Sequence, residues 1–280
     1  MSATLPAGPS APVRPAGAIG VFDSGVGGLT VLRALRAALP GADYIYLGDT
    51  ARLPYGTKSA ESVVRYAGQA ADALVRRGID CLVIACNTAS AVAVDALRAR
   101  YAPLPVIGVV EPGARAAVAA TRSGRIAVIA TEGTVRAGAY DAAIRRLRPD
   151  AVVSAAACAL FVALAEEGWV DGDVTERVAR RYLEPLLTQA APPDVLLLGC
   201  THFPVLEPVL RAVAGPGIAI VDSAATTAGA VRAMGLPAGG SGRVCLLATD
   251  GAARFARVGS AFLGAPIAAG DVEILDLGVA

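Results

Sequence analysis

The sequence predicts an α/β protein of two related, doubly wound halves, each a mainly parallel sheet with helices on both faces. Three observations carry that expectation. Short, nearly continuous runs of Val, Ile and Leu alternate with longer helical stretches, the pattern of strands buried on both faces. A segment recurs: Asp80, the run CLVIA and Cys86 match Asp194, the run VLLLG and Cys200 at identical offsets. Hydrophobic residues make up 55% of the chain and charged ones 18%, so core-forming material is ample and disorder over most of the length is excluded.

The elements follow in order. Residues 1–17, rich in Pro, Ala, Gly and Ser, cannot bury enough surface to order themselves and read as a loose tail. Ile19–Phe22 is the first strand, followed by a glycine-rich turn and a helix through Leu39. Tyr44–Leu47 is the second, and a loop to Lys58 leads to a helix over Ala60–Arg77. Asp80–Ala85 is the third, with a helix from Thr88 to Arg100, and Val106–Val110 is the fourth. Arg125–Ala130, Val152–Ala156, Val195–Leu198 and Ala219–Val221 continue the series, separated by helix-like segments. Each copy of the repeat runs through a helix to another apolar strand ending in an acid, at Glu111 and Asp222. The first strand has its own echo, because Val21 to Gly25 compares with Ile129 to Gly133.

Composition removes several function classes. Lys and Arg total 25 against 24 Asp and Glu with no basic stripe, so nucleic acid is not the expected ligand. The apolar stretch from Ala151 to Ala165 is too short to span a bilayer, and no secretory signal opens the chain, so a cytoplasmic protein without membrane attachment is expected. The five cysteines, at 81, 86, 158, 200 and 245, include no CxxC pair, which argues against a disulfide framework or a zinc ribbon. His202 is the only histidine, so a site built on two imidazoles is excluded and no metal site is expected. Lys58 is the only lysine and lies in a polar loop, so a Schiff base with pyridoxal phosphate is not expected. Thiols and carboxylates remain.

Cys86 and Cys200 each follow a strand and precede a helical stretch, where open α/β sheets bind ligands. A nearby helix start favours thiolate, and Asn87-Thr88 and Thr201-His202 can cap and donate to an anionic ligand. Free cysteines usually pack in cores, but two at matched places with polar followers point to chemistry. Cys81 and Cys245, within apolar strands, and Cys158 read as packing residues. The run Asp23 to Gly28, DSGVGG, opens a helix but is no dinucleotide fingerprint, since Thr30 stands where a third glycine is needed. Its carboxylate suits an ammonium group or a place beside a base; alone, the run is also a tight turn with an Asp cap. His202 is two residues from Cys200, as an acid–base neighbour would be. Glu166-Glu167 at a helix end remain undecided between solvation and function, and Tyr55-Gly56 between closing on a ligand and simply turning.

Together these residues resemble the glutamate racemase family of cofactor-independent amino-acid racemases. The matching stretches are Gly20–Arg33, Tyr46–Ser59, Ala85–Ala91, Val110–Ala114, Ala130–Asp141, Leu198–Leu206 and Val221–Ala224, in family order. The resemblance implies two pseudo-symmetric α/β domains with the active site in the cleft between them. The first would cover 18–112 plus 222–280, and the second 113–221. It implies catalytic thiols at Cys86 and Cys200, with Asp23, His202 and a glutamate assisting; that glutamate is Glu166, with Glu167 close enough to compete. Substrate contacts carry over to Asp23, Ser24, Tyr55, Gly56, Asn87, Thr88, Thr201 and His202. Glutamate as a small-molecule substrate, no cofactor, a homodimer as one assembly and D-glutamate supply for peptidoglycan also follow from it. The chain departs where the family commonly has proline, at Ala159 and Ala163, which bears on the Glu166 segment, and Phe203 replaces a common Tyr.

Racemisation without a cofactor needs an α-proton removed from one face and another returned to the opposite face. Two thiols on opposite sides do this without a base swinging around the substrate. Donors from Ser24, Asn87, Thr88 and Thr201 would stabilise the enediolate-like charge. Three other readings fit part of the pattern: a racemase for aspartate or another amino acid, a two-lobed binding protein without chemistry, and a cysteine-nucleophile hydrolase or transferase.

Overall fold

The computed structural model describes residues 17–236 and 239–278, so the predicted tail, apart from Gly17, lies outside the described residues. The chain runs β1 (Ala18–Asp23), α1 (Leu29–Ala38), β2 (Asp43–Gly48), α2 (Ala60–Arg76), β3 (Cys81–Ile84), α3 (Asn87–Tyr101), β4 (Val106–Gly108) and α4 (Val110–Ala120). It continues with β5 (Arg125–Ala130), α5 (Glu132–Ala137), α6 (Ala139–Leu147), β6 (Val152–Ala157), α7 (Ala159–Glu166), α8 (Gly172–Leu187), β7 (Val195–Gly199), α9 (Glu207–Ala214) and β8 (Ala219–Asp222). Last come α10 (Ser223–Ala233), β9 (Val244–Ala248), α11 (Ala252–Leu263) and β10 (Val272–Ile274). Every strand pair among these is parallel. Among the described residues no helix is long and apolar enough to cross a membrane.

Alternation along the central strands explains the layers. In β1, Ile19 and Val21 join Leu29, Leu32 and Leu35 of α1, while Ala18 and Phe22 join Ala67, Ala70 and Leu74 of α2 on the other face. In β5, Ala127 and Ile129 face Phe161 and Leu183, while Ile126 and Val128 face Tyr140 and Ile144. Local chemistry sets several helix starts: Ser59 caps α2 through the Ser62 amide, Thr131 caps α5 through Thr134, and Asp222 caps α10 through Ala224 and Ala225.

The two sheets repeat one plan. The first has the order β10-β9-β2-β1-β3-β4 and the second β6-β5-β7-β8. Replacing β1, β2, β3 and β4 by β5, β6, β7 and β8 reproduces the same order, so the recurring sequence segments occupy equivalent strands. In each sheet the first strand is flanked by the next on one side and the third on the other. That reversal opens a crevice beyond the carboxyl ends of β1 and β3, and another beyond β5 and β7.

Three local differences from the sequence reading have physical causes. The fourth strand stops at Gly108, because Glu111 and Pro112 suit the first turn of α4, which begins at Val110. Cys245, expected to be packed, is exposed: β10 pairs only with residues 246–248 of β9 and leaves position 245 uncovered. Cys200 is followed by a turn and a short 3₁₀ segment, Phe203–Leu206, before α9, with Pro204 at its start. Cys86, by contrast, directly precedes the long helix α3.

Candidate active site

The two crevices carry the two thiols. Cys86 leaves β3 beside the end of β1, and Cys200 leaves β7 beside the end of β5. Both are buried, with 5% of their surface exposed. Serine hydroxyls tie the first crevice together: the Ser90 hydroxyl donates to the Ile84 carbonyl (2.7 Å) and accepts from the Val109 amide (3.1 Å). The Cys86 Sγ–H faces Ser24 Oγ at 3.6 Å. Burial pushes the Cys86 thiol up to about 12, with the nearby Asp23 carboxylate adding to the effect.

Asp23, at the end of β1, is fully buried. Its Oδ2 accepts from the Gly25 amide at 2.9 Å, while its Oδ1 has no partner among the described residues. Burial raises its carboxyl above the ordinary range, opposed by the charge of His202 and by the amides of Gly25 and Gly28. A buried carboxylate oxygen left unpaired costs roughly 1–3 kcal/mol or more, which fits a group reserved for a ligand or a proton.

The surroundings of Cys200 differ. His202 Nδ1 lies 3.8 Å from Cys200 Sγ, and His202 Nε2 lies 3.0 Å from Glu166 Oε1. Burial alone would lower the imidazole pKa, but the bonds to Cys200 and Glu166 outweigh it and raise the value to about 10. Burial likewise pushes Glu166 upward, yet the bonds from His202 and Arg254 win and hold it at about 2. Both shifts favour an imidazolium beside a carboxylate, an arrangement that places positive charge next to the Cys200 sulfur. Glu166 is thus the carboxylate that meets His202, while Glu167 is exposed.

Close backbone approach brings the two crevices together. A Cβ on Gly27 would fall 2.5 Å from His202 Nδ1 and against the Thr201 hydroxyl, so only glycine lets the turn after β1 lie on the Cys200 loop. The Thr30 hydroxyl donates to the Thr201 carbonyl there (3.0 Å). We expect Gly27→Ala to lower stability by about 1–3 kcal/mol by displacing His202 and Thr201. Thermal denaturation of the variant checks this; an unchanged melting temperature would contradict the packing described.

The remaining predicted residues sit at the seam between the sheets. Asn87 is held at both ends of its amide, accepting from the Tyr140 hydroxyl (2.6 Å) and donating to Ser223 Oγ (3.4 Å). The Thr88 hydroxyl meets those of Thr131 (2.9 Å) and Thr134 (3.2 Å). Tyr55 is buried and its hydroxyl donates to Asp49, while a Cβ on Gly56 would fall 2.7 Å from that of Thr131. Tyr140, Thr131, Thr134 and Ser223 were not singled out from sequence as site residues, although all lie in stretches that carry the resemblance. Arg254, which reaches Glu166 from α11, gave no signal at all.

Similarity to known proteins agrees with this architecture. The family described as Asp/Glu/Hydantoin racemase matches residues 27–231. The glutamate racemase of Geobacter metallireducens is 51% identical, the match covering 93% of this chain and 97% of the relative. The crystal structure of a Bacillus anthracis glutamate racemase superposes with a TM-score of 0.87 at 34% identity, covering 94% of this chain and 98% of that one. That of the Francisella tularensis glutamate racemase, in complex with D-glutamate, gives 0.85 at 33% identity, with 94% and 98% covered. With its two equivalent sheets and matched thiols, the chain belongs to the Asp/Glu/Hydantoin racemase family and, within it, to the glutamate racemases, isomerases that act on an amino acid.

Proposed function

We propose that this chain interconverts L- and D-glutamate without a cofactor, by proton transfer between Cα and two thiols. The observation that carries the reading is the pair of buried cysteines at equivalent crevices of two sheets that share a four-strand order. Cys86, protonated through burial, is the donor to one face of Cα. Cys200, paired with the His202 imidazolium, is the base at the other face. Following the resemblance, Cys200 deprotonates L-glutamate and Cys86 deprotonates D-glutamate.

Asp23 and His202 assist the neighbouring thiols, and Glu166 keeps His202 protonated. Donors from Ser24, Asn87, Thr88, Thr201, His202 and the backbone around Tyr55-Gly56 hold the substrate carboxylates and the charge that develops as the proton leaves. Burial excludes water and strengthens each of these interactions. The D-glutamate bound in the Francisella tularensis relative supports glutamate as the substrate. The domains are then 18–112 plus 222–280 and 113–221. A cytoplasmic place, a homodimer and a supply of D-glutamate for peptidoglycan complete the proposal.

Circular dichroism of the purified protein with L- or D-glutamate and no added cofactor tests the reaction directly. The signal should decay to zero from either enantiomer, and aspartate run in parallel should react far more slowly. In heavy water, the newly formed enantiomer should carry deuterium at Cα. Product without solvent label would overturn the two-thiol scheme, and faster turnover of aspartate would overturn the substrate.

A further inference from the structure

Glu166 is the last residue of α7, where the negative end of its own helix disfavours a carboxylate. It stays in place because each oxygen has a separate cationic partner: Oε1 meets His202 Nε2 at 3.0 Å, and Oε2 accepts from Arg254 Nη2 at 2.7 Å. The Glu166 side chain is 11% exposed, against 46% for Arg254. Arg254 therefore reaches in from the surface to a group that is almost covered. Arg254 belongs to α11, which packs on the first sheet, and Glu166 belongs to α7, which packs on the second.

A second contact runs along the same helix. Phe262, eight residues on and so on the same face of α11, stacks edge-to-face on the His202 ring with centroids 5.2 Å apart. One helix of the first half thus fixes both the carboxylate and the imidazole that serve the cysteine of the second half. A glutamate held by a single bond retains three rotors. Held at both oxygens, its carboxylate stays where His202 Nε2 meets it, and with the Phe262 contact this restrains the ring whose Nδ1 lies 3.8 Å from Cys200 Sγ.

We propose that Arg254 is a positioning residue for the Cys200 half of the reaction, anchoring Glu166 so that His202 is presented to the thiol. This rests on the two-thiol reading above. It also makes that half of the machinery complete only when α11 and α7 lie side by side. The ionisable groups facing the His202–Glu166 pair are Cys200 from the loop after β7, Asp23 from the end of β1 and Arg254 from α11.

The test uses the fact that His202 is the only histidine of the chain. In tag-free protein labelled with ¹⁵N-histidine, NMR follows this one imidazole as pH is varied, with no need for turnover. Arg254→Ala should lower its titration midpoint by about one pH unit or more, because Glu166 swings away and burial then dominates. In the same variant kcat should fall about tenfold with KM little changed, and Arg254→Lys should recover part of both losses. Arg257→Ala, exposed on the same helix, should leave both at the wild-type level.

If Arg254 were only a charge, its removal would raise the His202 midpoint; that result, or an unchanged midpoint, overturns the proposal. A wild-type protein that fails to racemise glutamate would sink the reading of function instead. The imidazole titration would still decide what Arg254 does.

Discussion

Replacing either Cys86 or Cys200 by alanine should abolish racemisation while leaving the protein folded. Positioned acid–base groups contribute about 10²–10⁴-fold each, and in the two-thiol proposal each thiol is the sole proton carrier on its face of the substrate. A loss of at least about 10³ in kcat is expected for each variant, measured as the decay of optical activity from both enantiomers. Loss of one buried sulfur costs roughly 1 kcal/mol, so thermal denaturation should show only a small shift. The two variants should differ in one respect. With Cys86 replaced, Cys200 can still exchange the α-proton of L-glutamate, which should take up solvent deuterium without inverting. With Cys200 replaced, D-glutamate should do the same through Cys86. Near-normal turnover in either variant would refute the division of labour between the sulfurs.

Glu166→Gln should have the next largest effect, on both activity and pH dependence. The variant keeps the size of the side chain but removes the charge that sustains the imidazolium, and kcat should drop about 10²-fold. The stability effect has a definite sign. Glu166 is depressed from 4.5 to about 2, so its contribution is complete above 4.5 and is lost as pH falls through 2. His202 is raised from 6.5 to about 10, so its contribution is complete below 6.5 and is lost as pH rises through 10. The gap between wild type and variant should therefore be widest between pH 4.5 and 6.5, at about 1–3 kcal/mol, and narrow on both sides. Melting temperatures of the two proteins from pH 3 to 10 check this. A gap that stays constant from pH 6.5 to 10 would show that the imidazole is neutral in the folded protein.

Much of this was legible in the sequence because parallel strands buried on both faces announce themselves as unbroken apolar runs. The eight strands from β1 to β8 were all anticipated, as was the equivalence of the segments ending at Cys86 and Cys200. β10 was missed, since Val272–Ile274 is a three-residue edge strand with two exposed positions and too little pattern to stand out. At the site, residues adjacent in sequence to the thiols were visible, whereas partners brought in from distant elements were not. The doublet Glu166-Glu167 could not be resolved from sequence, because which acid turns inward depends on where α7 ends. Arg254 lies on an exposed helical surface where arginine is unremarkable until Glu166 is placed opposite it.

The unequal surroundings of the two sulfurs have a consequence for the enzyme between turnovers. Mirror-image amino acids have the same free energy in water, so no arrangement of side chains can favour one of them at equilibrium. What the Asp23 side and the His202 side can do is set which tautomer of the empty protein predominates. That tautomer is ready for one enantiomer and must shuffle a proton before it can accept the other. Under the two-thiol proposal each catalytic event also leaves the opposite tautomer behind. Resetting the vacant protein, a step in which the amino acid takes no part, then joins the steps that set the tempo at saturating substrate.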